Sequence, residues 1–255
     1  MHDLSLWHYL AIAVLAVVAG VINIVAGGGS NLILPTLMVF GIPPDIANGS
    51  NRVGVFLQSL AGIQGFAKAD KIPPAPQVWR IMLPTLIGGT VGAVLASQLP
   101  AWLLKPSLLL VMLLVAGLML FKPNLLNNPP DTEPVNINSH PKAWAGMFLA
   151  GIYGGFVQAG VGLLMLPMLV ALLRFDTVRA NALKILCTLG FTTVALLIFI
   201  SQGQVWWTLG LVLAAGNVLG ALVGVRVAMK LSPQNMRWAV FVMTLLAVAF
   251  ALVYK

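Results

Sequence analysis

The 255-residue chain is 60% hydrophobic and 8% charged, with a strongly positive mean hydropathy. No soluble domain of this length hides so much apolar surface, so the composition specifies an all-α integral membrane protein with several spans. The net charge of +8, from 14 Lys/Arg against 6 Asp/Glu, comes without the basic runs and interleaved aromatics of a nucleic-acid partner, and fits the basic bias of membrane loops.

The opening residues MHDLSLWHYL have no basic n-region. The apolar stretch behind them runs to about residue 26, too long for a signal h-region, and reads as the first membrane segment. Hydrophobic runs then give five segments per half. They fall at 6–26, 31–42, 48–67, 77–97 and 101–121, and again at 143–161, 163–174, 180–200, 206–228 and 235–254. Most reach the roughly 20 residues that cross a bilayer. The second and seventh do not, and are expected to be half-helices, each forming a broken hairpin with its predecessor.

The halves read as one module written twice. AGGGSNLILP (Ala26 to Pro35) leads to PPDIANGSNR ending at Arg52, while QAGVGLLMLP (Gln158 to Pro167) leads to FDTVRANALK ending at Lys184. With Pro35 set on Pro167, Arg52 falls on Lys184 and Gly28 on Gly160. The domains are therefore an N-terminal membrane repeat (1–121), a Pro- and Asn-rich solvent-exposed linker (122–142) and a C-terminal membrane repeat (143–255). His140 in that linker reads as a surface histidine.

Basic residues set the orientation. Lys68, Lys71 and Arg80 flank the third-to-fourth connection of half one, and Arg226, Lys230 and Arg237 the fourth-to-fifth connection of half two. Placing these on one side inverts the halves relative to one another. Lys122 and Lys142 then put the linker in the cytoplasm and both termini outside, with Lys255 the one dissenting charge.

Glycine-broken turns at membrane depth require a polar cavity or a protein surround. The glycines let backbone N–H groups approach a ligand, and the next helix directs its positive end at the break. Ser30 is a good N-cap for that helix, and Gln158 supplies an amide in the second half. NGSNR and RANALK are read as openings of long segments, where Asn48, Ser50, Asn51 and Asn181 either cap or bind. Arg52 and Lys184 oppose the helix dipole there and need compensation, or must snorkel to the interface. Asp45 and Asp176 are read as structural partners or caps.

The candidate substrate-binding set is Asn23, Gly28, Gly29, Ser30, Asn48, Ser50, Asn51, Arg52, Gln158, Gly160, Asn181 and Lys184. Gln58, Ser59, Thr188 and Asn217 read as interhelical hydrogen bonds, and GGTVGAVLA (88–96) and GNVLGALVG (216–224) as close-packing faces. The tryptophans sit near segment ends as an interfacial belt. The lone Cys187 allows no internal disulfide and no metal set, no cofactor motif is present, and nothing supports an ATP-driven pump or a hydrolase.

GVINIVAGGGSNLILPTLMVFGIPPDIANGSNR and GGFVQAGVGLLMLPMLVALLRFDTVRANALK together resemble the sulfite exporter TauE/SafE family of bacterial membrane proteins, over essentially the whole chain. The typical first-half pattern has Thr where this chain has Ser50, and the hydroxyl is kept. The resemblance implies movement of sulfite or organosulfonates across the inner membrane. The expectation is a non-enzymatic, alternating-access transporter whose two tips meet around a small oxyanion, with Arg52 and Lys184 supplying charge. The lipid bilayer and a small anion are its partners, and the Gly-rich outer faces are compatible with a homodimer. The alternatives are another small anion, a carboxylate, a cation held by the aspartates, or a scaffold without cargo.

Overall fold

The computed structural model of the chain describes residues 4–118, 128–129, 132–229, 245 and 248–249. Its helices are α1 (Leu6–Val25), α2 (Ser30–Val39), α3 (Pro44–Lys68), α4 (Ala75–Gln98), α5 (Ala101–Leu118), α6 (Pro141–Phe156), α7 (Val161–Pro167), α8 (Thr177–Ser201) and α9 (Trp207–Ala228). A π-helical stretch, Met168–Leu172, continues α7, and no strand occurs among the described residues. The predicted segment 235–254 lies largely outside the described residues, as do Lys122, Lys230, Arg237, Trp238 and Lys255.

The two short helices are where the residue spacing put them. Two long ones start earlier than the apolar pattern implied. Pro43 and Pro44 open α3 with Asp45 in its first turn, and Asp176 caps α8 by accepting from the N–H groups of Val178 and Arg179, both at 3.0 Å. Asn48–Arg52 and Asn181–Lys184 therefore lie one to two turns inside their helices and do not open them. Asp176 also pairs with Arg179 at 3.5 Å, so it is not the partner of Lys184.

Four described helices are long and apolar enough to cross a membrane: α1, α4, α8 and α9. Their outward residues, such as Val14, Leu83, Leu197 and Leu219, are large and apolar, while Arg52, Lys184, Asn48, Asn51 and Asn217 are buried. That inversion of a soluble protein's plan marks an exterior made for lipid. α3 is as long as α8 but polar, and is tolerated because α8 and α9 pack along it. Trp7, Trp79, Trp102 and Trp207 are exposed near helix ends, the placement of an interfacial belt.

Packing repeats across the halves with exchange. α1 lies along α9 as α6 lies along α4, and α3 meets α9 as α8 meets α4, with α3 against α8 at the centre. Cβ atoms added at Gly88 and Gly92 would run into the carbonyls of Phe148 and Ile152; at Gly216 and Gly220 they would run into those of Ala13 and Val17. These glycines serve helix approach.

Loop contacts define two ends. At one, the His8 ring meets Phe40, the Trp206 N–H donates to Ser50 Oγ, and Gln204 donates to the Ser97 carbonyl. At the other, the Val135 N–H donates to the Leu173 carbonyl, Asn128 donates to Val170 and Phe175, and residues 134–137 line a recess with Gln77 and Arg80. α3 thus runs from the first end to the second and its counterpart α8 runs back, so the repeats are inverted. The linker is less exposed than its composition suggested. Ile137 is buried in the core, and His140 caps α6 by accepting from the Ala143 N–H at 3.3 Å.

Candidate functional site

Each broken hairpin leaves carbonyls without helical partners where its first helix stops. At the end of α6 the other half supplies the donors. Arg52 donates to the Gly154 carbonyl at 3.0 Å and the Gly155 carbonyl at 2.5 Å, and Asn48 donates to the Phe156 carbonyl at 2.8 Å. Asn48 Oδ1 also accepts from Arg52 at 3.4 Å, and the guanidinium lies 5.0 Å from the centre of the Phe199 ring.

The end of α1 is treated the same way by the second half. Lys184 Nζ donates to the Asn23 and Ile24 carbonyls at 3.1 and 2.8 Å, and to Asn181 Oδ1 at 2.8 Å. Both cations are fully buried, and neither is paired with a carboxylate among the described ion pairs. The negative ends of two broken helices stand in for the missing anions. This compensation, rather than snorkelling, is what holds the cations in apolar surroundings.

The breaks themselves touch. Gly27 (φ +80°) and Gly162 are in backbone contact, so a side chain at Gly27 would be both strained and blocked. The second break turns through Gln158 (φ +66°) and Gly160 (φ +78°), with the Tyr153 hydroxyl donating to the Ala159 carbonyl. At the first, Ser30 is the first residue of α2 and caps nothing with its side chain. Asn23 does that work from the last turn of α1, its Oδ1 accepting from the Gly29 N–H at 2.7 Å and the Ser30 N–H at 3.3 Å. Ser30 Oγ instead accepts from Asn51 Nδ2 at 3.2 Å. Gly29 backs onto the Ala19 carbonyl too closely for any Cβ.

A cavity of about 20 Å³ lies between the breaks, lined by Asn23, Gly27, Ser30, Gln58, Ser59, Gln158, Gly162, Lys184 and Thr188 with Val55, Val161 and Ile185. That is room for about one water among its polar groups. Its lining has one cation and no acid. Gln158 donates to Thr192 Oγ1 at 2.8 Å and leaves its Oε1 unpartnered; Asn51 Oδ1 and Asn181 Nδ2 are likewise buried without partners.

Of the candidates named from sequence, Asn23, Ser30, Gln158 and Lys184 line this cavity. Gly28, Gly29 and Gly160 form the breaks beside it, Asn51 is one hydrogen bond behind through Ser30, and Asn181 holds Lys184. Arg52, Asn48 and Ser50 are not in its lining. Arg52 is the ninth residue of α3 and holds the end of α6, whereas Lys184 holds the end of α1, so the two cations have no hydrogen-bond acceptor in common. Gln58, Ser59 and Thr188, which the sequence presents only as interhelical hydrogen-bonding groups, belong to the cavity. Thr188 follows Lys184 by four residues, and Asn51, Val55, Gln58 and Ser59 share one face of α3, a helical period that marks a polar wall.

A sequence model of the family described as Sulfite exporter TauE/SafE matches residues 12–251. The chain is similar to a probable membrane transporter protein, ORF9, of a Sinorhizobium species, 29% identical over 236 residues and covering 90% of this chain and 86% of that one. A probable membrane transporter protein of Haemophilus influenzae is 26% identical over 235 residues, covering 91% and 89%. The probable membrane transporter protein YfcA of Escherichia coli K12 is 27% identical over 222 residues, covering 87% and 81%.

Proposed function

The chain belongs to the sulfite exporter TauE/SafE family of membrane transporters, and we propose that it carries a small sulfur oxyanion, of the sulfite or organosulfonate class, through the cavity between its two breaks. One observation supports this reading: a small cavity lined by residues of both breaks has Lys184 in its wall and no acidic side chain. A tetrahedral or pyramidal oxyanion needs a positive charge and several N–H or O–H donors in a dry place. Lys184 offers the charge, and Ser30, Thr188 and the tip N–H groups offer the donors.

Arg52 has a different task. Its fork is already occupied by two carbonyls, so it ties α3 to the end of α6. Access alternates as the two exchanged bundles, α1 and α3 with α9 and α4 with α6 and α8, rock about the α3–α8 contact, opening the cavity first to one end and then to the other. The end bearing Lys68, Lys71, Arg80, Lys142, Arg174, Arg179 and Arg226 is the cytoplasmic one, in a bacterial inner membrane. A homodimer through the apolar outer faces is compatible with this arrangement.

The test is flux of sulfite, methanesulfonate and acetate into liposomes holding the purified protein, beside Lys184→Gln. Saturable sulfite or sulfonate flux that disappears in the variant supports the reading. A preference for acetate overturns the cargo class, and undiminished flux in Lys184→Gln removes the site.

A further inference from the structure

Resting on the reading of the Lys184 cavity as the anion site, we infer that Asn23 is a built-in stand-in for the cargo, which the anion must displace in order to bind. Two kinds of donor face the first break: the backbone N–H groups of Gly29 and Ser30, and the ammonium of Lys184. Both are already engaged, and Asn23 is an acceptor for each. The Asn23 side-chain oxygen accepts from Gly29 and Ser30, and the Asn23 main-chain oxygen accepts from Lys184.

The carboxamide has only one workable orientation. Turned over, its amino group would face two N–H groups, whereas as placed it donates to Gln58 Oε1 at 3.2 Å. Gln58 thus aims Asn23 at the tip. Lys184 has no proton to spare, because its three N–H bonds go to Asn23, Ile24 and Asn181. The cavity has room for about one water and cannot take an oxyanion beside these groups. Binding is therefore an exchange of acceptors: oxyanion oxygens replace Asn23 on the tip N–H groups and on Lys184.

The exchange has a mechanical consequence. Asn23 sits in the last turn of α1, so the bonds it surrenders are among those that hold the end of α1 to α8 and to the start of α2, the Ile24 carbonyl keeping its bond to Lys184. An occupied site loosens the first hairpin, and an empty one re-forms it. Asn23 tunes affinity by competition, and it links occupancy to hairpin position.

The test uses the full chain in nanodiscs, titrated calorimetrically with sulfite under argon, wild type beside Asn23→Ala, Gln58→Met and Lys184→Gln. Removing a competing neutral acceptor tightens binding about fivefold in Asn23→Ala. Releasing its aim tightens binding about twofold in Gln58→Met, which decides alone where Asn23→Ala does not fold. Unchanged or weaker binding in these two variants, with binding lost in Lys184→Gln, makes Asn23 an ordinary ligand or a bystander and overturns the inference while leaving the site. Wild-type affinity in Lys184→Gln removes instead the reading on which the inference rests.

Discussion

Arg52 and Lys184 occupy equivalent places in the two halves, and each caps the broken helix of the opposite half. Their surroundings differ. Arg52 is enclosed by the Phe199 ring, Asn48 and the α6 carbonyls, with its fork matched to two oxygens at once. Lys184 looks onto a cavity whose walls are Gln58, Ser59, Thr188 and Gln158. One backbone device, a tethered cation on a helix end, serves as a fixed strut in the first case and as an exchangeable contact in the second. The chemistry suits the division, since a planar fork loses much when one partner leaves, whereas an ammonium trades acceptors one by one.

The largest effect that separates the two is on stability. Arg52→Met leaves the Gly154 and Gly155 carbonyls buried and unsatisfied, at a cost of about 3–5 kcal/mol. Thermal unfolding in detergent reads this, and a wild-type melting temperature would end the description of Arg52 as a strut. Lys184→Gln is expected to do the reverse. It removes saturable sulfite flux, with a smaller loss of stability because the freed Asn23 carbonyl borders the cavity and can take a water.

Exchange variants sharpen the contrast. Arg52→Lys keeps charge but reaches both carbonyls poorly, and should lose about 1–2 kcal/mol of stability with flux retained once folded. Removing the ring face in Phe199→Leu should cost Arg52 only about 1 kcal/mol. The smallest expected effect is none at all. Helix-end carbonyls that would attract a coupling sodium ion are held by the protein's own cations, so replacing sodium by choline in the flux assay should change nothing. A steep sodium dependence would contradict that occupancy.

Much of this architecture was legible beforehand, for reasons that can be named. The short helices α2 and α7 showed themselves because Gly27–Gly29 and Gly160 interrupt apolar runs too brief to span. The inverted arrangement followed from where Lys68, Lys71, Arg80 and Arg226 fall. The starts of α3 and α8 were placed several residues late because apolar counting overlooked the stronger signals of Pro43–Pro44 and Asp176. The partners of Arg52 and Lys184 were not legible at all. Apart from Asn48 and Asn181 on their own helices, they are main-chain carbonyls of the opposite half, and every residue type carries one, so no side-chain pattern betrays them. Nor did the repeat show that Lys184 lines the cavity and Arg52 does not, because equivalent positions in the two halves meet different neighbours.

The polarity of α3 bears on how the chain is made. A helix that carries Asn48, Ser50, Asn51, Arg52, Gln58 and Ser59 is a poor substrate for the translocon, where one arginine at the centre of a span opposes insertion by about 2.5–3.5 kcal/mol. The two helices that pack along it most, α8 and α9, are synthesised after it, and so is α6, whose carbonyls receive Arg52. During biogenesis α3 must therefore wait, sheltered within the insertion machinery or beside α4, until the second half arrives to receive it. Truncation after the first repeat should strand this helix outside the hydrocarbon, and glycosylation-site mapping of nested fusions would register the moment at which it enters.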